Sequence, residues 1–132
     1  MRMRYARLMS CLYVSILLAS CGGSAVSVYN TEGKKIGSIR IVDDHNATIV
    51  STYGEERGKV RGSLVRDDAG KRRGSIVERS RTIVIQNTDD DDVGTLVNGT
   101  DCYGKGQDIV GRISMVVRPE AAGAACLLFF LK

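Results

Sequence analysis

The sequence predicts an all-β fold, a shallow pseudo-symmetric barrel of about five β-hairpin repeats, on three observations. A glycine-hydrophobic tetrad recurs at Ile36-Gly37-Ser38-Ile39, Arg61-Gly62-Ser63-Leu64, Arg73-Gly74-Ser75-Ile76, Val93-Gly94-Thr95-Leu96 and Val110-Gly111-Arg112-Ile113. The segments between copies are polar turns such as RDDAGK at 66–71, NTDDDD at 87–92 and YGKGQD at 103–108, separating short β-branched runs. Glycines and β-branched residues such as Ile83-Val84-Ile85 argue against long helices before residue 119.

The first element is an export signal. MRMRYAR is a basic lead, LMSCLYVSILL an apolar run too short to span a bilayer, and small residues then precede a cysteine. Leu18-Ala19-Ser20-Cys21 resembles the lipobox of bacterial lipoproteins, which implies cleavage before Cys21 and acylation of that residue. Residues 1–20 are therefore expected to be a signal peptide, 21–25 a lipidated tether and 26–132 a single domain held at a membrane surface. Gly22 follows the cysteine where an Asp would resemble an inner-membrane retention signal. For a Gram-negative source, this points to the outer membrane, facing the periplasm.

Each repeat reads as a hairpin. In the first, Val26-Ser27-Val28-Tyr29 leads into the turn Asn30-Thr31-Glu32-Gly33, and Lys34 to Ile41 leads out through the tetrad. A glycine sits four residues before the tetrad glycine at Gly33, Gly58 and Gly70, whereas Asp90 and Gln107 hold that place in the last two copies. Tyr53 stands one residue out of step with Tyr29 and Tyr103, which reads as an insertion in GEERG. Gly37, Ile39 and Ile41 share one face by the period of two. Pointed inward, that face brings a glycine from every hairpin to a crowded centre and gives it room. Ring closure would remove the exposed strand edges. After Pro119, residues 120–125 suit a short helical turn, and Cys126 to Leu131 read as a buried strand.

The repeat, the export signal and the ending RPEAAGAACLLFFLK together resemble the β-flower family, in its five-fold form. That resemblance implies hairpins radiating around an apolar centre and brings no catalytic residues. The structural repeat glycines would be Gly37, Gly62, Gly74, Gly94 and Gly111.

Cys102 and Cys126 are left once Cys11 departs and Cys21 is acylated. They form either a disulfide, in an oxidising compartment, or two buried thiols. The signal also removes three of the 19 basic residues and no acidic one, leaving a mature charge near +1. A nucleic-acid partner therefore loses its electrostatic basis.

Charge is nonetheless segregated. Residues 57–81 hold nine basic residues against three acidic, and 82–108 hold six acidic against Lys105. Lys71, Arg72 and Arg73 are the expected contact with anionic lipid or another envelope polyanion. Ser75, behind two arginines, looks like a kinase site, but an exported chain does not meet cytoplasmic kinases. His45 beside Asp43-Asp44 has no nucleophile placed near it by any motif, and Asp89–Asp92 misses the Ca²⁺-loop spacing. No enzyme activity, metal or cofactor is expected. The expected role is a membrane-anchored binding or scaffolding domain, with a small-hydrophobe site in the barrel mouth as the alternative.

Overall fold

The computed structural model describes residues 25–131. They form a closed ten-stranded antiparallel barrel around one helix. The strands are β1 (Ala25–Asn30), β2 (Lys35–Ile41), β3 (Asn46–Ser51), β4 (Glu56–Arg61), β5 (Leu64–Asp67), β6 (Arg72–Arg79), β7 (Thr82–Gln86), β8 (Asp92–Val97), β9 (Asp101–Gly104) and β10 (Ile109–Ile113). Each pairs with its sequence neighbours, and β1 pairs with β10, so no edge is left open.

One kind of turn joins odd to even strands at what we call the tip end. Five times, the amide of the first turn residue donates to the carbonyl four residues on, and the amide three residues on donates back to the first residue's carbonyl. The five first residues are Asn30, Ser51, Asp67, Asn87 and Gly104. In four of these turns the first side chain also accepts two backbone amides. Asn30 Oδ1 takes those of Glu32 and Lys34, Ser51 Oγ those of Tyr53 and Glu55, Asp67 Oδ1 those of Ala69 and Lys71, and Asn87 Oδ1 those of Asp89 and Asp91. The fourth turn residue is left-handed every time, as Gly33, Gly54, Gly70, Asp90 or Gln107. Asp90 and Gln107 thus occupy the glycine's conformation without its freedom.

Beyond each tip the register slips by one residue, leaving Ile36, Arg57, Arg73, Val93 and Val110 without a cross-strand partner. Such bulges bend a strand and sharpen its twist. The next residue in every case is an inward glycine: Gly37, Gly58, Gly74, Gly94 or Gly111.

The second copy therefore differs from the sequence reading. Gly62 lies in the β4–β5 turn with φ +60, where an added methyl would meet nothing. Its expected place is held by Gly58, four residues after the turn glycine Gly54. The Ser51 turn has the same hydrogen bonds and length as the other four, with Tyr53 an exposed residue inside it, so GEERG holds no insertion.

The larger correction is at the C-terminal end. Pro119–Phe130 is one continuous helix, α1, not a short turn followed by a strand. Inside a closed barrel a strand finds no partner for its amides and carbonyls, whereas a helix satisfies its own. Ala121 to Leu128 are all buried, so α1 is apolar on every side, as a helix enclosed by a wall must be.

Helix and wall exchange bulk along the axis. Where α1 is small, at Ala121, Ala122, Gly123, Ala124 and Ala125, the wall supplies large side chains, Ile39, Ile49, Val60, Val65, Ile76 and Ile85 among them. A methyl on Gly123 would lie 2.8 Å from Ile76 Cδ1. Where α1 is large, the wall supplies glycine. A methyl on Gly74 would lie 2.9 Å from Leu127 and one on Gly58 2.8 Å from Leu128. One on Gly37 would strike Phe129, one on Gly111 would strike Phe130, and one on Gly94 would lie 2.7 Å from Leu131.

Five consecutive residues thus meet five wall glycines in ring order. A helix advances about 100° per residue and a five-part ring about 72°, so the two drift apart by roughly 28° per step. Leu131, the last of the five, has left the helix for an extended conformation (φ −114, ψ 161).

Candidate functional site

Of the residues singled out from sequence, Cys21 lies outside the described residues. Cys102 of β9 and Cys126 of α1 are joined by a disulfide with Cα atoms 5.7 Å apart, both residues fully buried, which ties the helix to the wall.

Lys71 is an exposed turn residue, while Arg72 and Arg73 are half-buried on β6. Arg72 is already engaged, donating to Asp90 Oδ1 at 3.0 Å and to the Thr88 carbonyl at 3.1 Å. Arg73 is the bulge residue of the third hairpin. Arg57, its counterpart in the second, places its guanidinium 5.4 Å from the centre of the Phe129 ring.

Two carboxylates of the acidic run, Asp90 and Asp92, are likewise engaged. Arg79 bonds Asp92 at 2.8 Å, and Gln86 donates to the other carboxylate oxygen. This pairing holds the Asp92 carboxyl below its ordinary range and raises Arg79. Asp43 closes its own loop, accepting from the amides of His45 and Asn46 and from the Asn46 side chain. Those bonds, the His45 amide first, lower its carboxyl as well. His45 is exposed on that loop.

What sequence reasoning could not show is how the basic residues line up. Register puts Arg40, Thr48, Lys59, Arg66 and Arg72 in one row across five adjacent strands, each opposite the next. A second row, nearer the end opposite the tips, runs through Asn46, Arg61 and Leu64. Between the rows lies a groove of about 420 Å³ lined by Thr48, Lys59, Arg61, Leu64 and Arg66, with Val42 at its border. Thr48 points away from the helix yet is only 9% exposed. The long side chains on either side of it, Arg40 and Lys59, are those whose stems suit such cover. Among the described residues no carboxylate lies within 4.0 Å of Arg40, Arg61 or Arg66, and Glu56 only just reaches Lys59 at 4.0 Å.

Among the described residues, the end opposite the tips, the base, carries the exposed aliphatic or thioether side chains Val42 (60%), Met115 (51%) and Val116 (65%), while the tips carry one exposed large apolar side chain, Tyr53. The described chain begins at this end, with Ala25 opposite Arg40. No helix among the described residues is long and apolar enough to cross a membrane. Comparison of the chain with protein-family models, curated proteins and solved structures finds no match.

Proposed function

We propose that the protein is a lipid-anchored envelope lipoprotein whose barrel, a five-fold β-flower, stands base-down on the membrane as a non-catalytic binding or scaffolding domain. The five recurring turns, bulges and wall glycines support the five-fold reading. One observation carries the membrane reading: the end at which residue 25 joins the barrel is the end that exposes Val42, Met115 and Val116. An acylated Cys21 followed by residues 22–25 reaches at most about 14 Å, so the domain is held against the headgroups.

A small-hydrophobe ligand is the weaker reading, because α1 occupies the interior and leaves only the outer clefts. For a Gram-negative source the outer membrane, on its periplasmic side, is the expected location. Sedimentation of Cys21→Ala tests the anchor. The substituted protein should lose the acyl chains and leave the washed membrane fraction, whereas unchanged acylation and sedimentation would refute it.

A further inference from the structure

We propose that the groove over Thr48 binds the phosphate of a membrane lipid headgroup, with Lys59, Arg61 and Arg66 as its cations. The groove is built from like charges that folding alone does not favour. Lys59 stands directly opposite Arg66, and Arg66 opposite Arg72, pairings that destabilise a sheet. Only Arg72 is neutralised closely, by Asp90. The Asp43 carboxylate accepts from its own loop, and no ion pair joins it to Lys59, Arg61 or Arg66 among the described residues.

Arg61, Lys59 and Arg66 line the groove around Thr48 and carry the donors that phosphate oxygens accept; Arg66 donates one of its five N–H groups to the Gly70 carbonyl, at 3.1 Å. The surroundings suit a phospholipid rather than a free ion. Val42 and the half-buried Leu64 give apolar surface beside the cations, and Arg40, which heads the row, pairs with Ala25 at the start of the described chain. The row that carries Lys59 and Arg66 therefore begins beside the residue that a tether from Cys21 would reach. For its source of phosphate, the site rests on the membrane reading above.

The test uses the mature acylated protein in dodecyl maltoside micelles, titrated separately with phosphatidylglycerol and with inorganic phosphate and followed by amide NMR shifts. Phosphatidylglycerol should shift the amides of Thr48, Lys59 and Leu64. Replacing Lys59, Arg61 and Arg66 together by Gln should weaken that binding roughly a hundredfold, at about fivefold per cation. Replacing Lys71, Arg72 and Arg73 by Gln should change it by less than about threefold on the same scale. If the triple substitution disturbs folding, Arg61→Gln alone should give the fivefold loss.

Absence of shifts at the groove overturns the proposal, as does equal loss in both sets of variants, which would mean diffuse attraction. Inorganic phosphate binding as tightly as phosphatidylglycerol overturns the lipid source. The titration does not depend on where the protein sediments, so failure of the anchor and failure of the groove are separate results.

Discussion

Gly104 is the one turn-opening residue without a side chain, and Gln107, three residues on, is one of two non-glycine residues at the left-handed position. Both departures can be reversed. A Cβ on Gly104 would meet only ordinary contacts, the nearest being Val110 at 3.4 Å, so Gly104→Asn should let a side-chain oxygen accept the amides of Gly106 and Asp108. With the lower freedom of the unfolded chain, it should stabilise by about 1 kcal/mol in urea denaturation. Gln107→Gly should add a similar amount, roughly 1 kcal/mol, by relieving the left-handed penalty. The wall glycines predict the opposite sign. A methyl at Gly58 runs into the Arg66 carbonyl and Leu128, so Gly58→Ala should cost about 1–3 kcal/mol. Gly62→Ala should cost only the turn penalty of about 1 kcal/mol. Equal losses would contradict the assignment of Gly58 to the ring.

At the scale of elements, the disulfide joins α1 to the wall. Substituting Cys102 and Cys126 together by Ala should lower stability by about 3 kcal/mol in the chain-entropy account, measured against the oxidised protein. The strands and hairpins were legible because turn chemistry and period-two alternation are local signals, present wherever Asn, Asp, Gly and β-branched residues meet. The helix was less so. Cys126 to Leu131 is a six-residue apolar run, which periodicity cannot assign to strand or buried helix. What decides it is the absence of a pairing partner inside the barrel, a fact about the assembled wall. Gly58 was assigned to the turn and not to the wall for a different reason. Gly62-Ser63 copies the local sequence of Gly37-Ser38 and Gly74-Ser75, while the constant feature is the four-residue interval from the turn glycine, here Gly54. The basic segment was visible as composition, but only register shows that Lys59 and Arg66 stand side by side facing outward.

Over the whole molecule, acidity should act through two carboxylates. The folded values of Asp43 and Asp92 are lowered, so each contributes stability that is fully present above its unfolded value of 3.8 and is lost as pH falls through the folded value. Both groups are exposed, and the effect is correspondingly modest. Stability should be flat from about pH 5 to 8 and decline below about pH 4, with Asp92→Asn removing part of that decline. A transition centred near neutral pH in a denaturation series would be inconsistent with this. The position of α1 also sets an order in time. Barrel closure needs β1 to find β10, at the far end of the strand sequence, and the side chains that fill the interior come later still, from Leu127 to Leu131. During synthesis or export, all ten strands emerge before the segment they enclose. The wall must then wait unfilled, its apolar face exposed and open to mispairing, until α1 arrives.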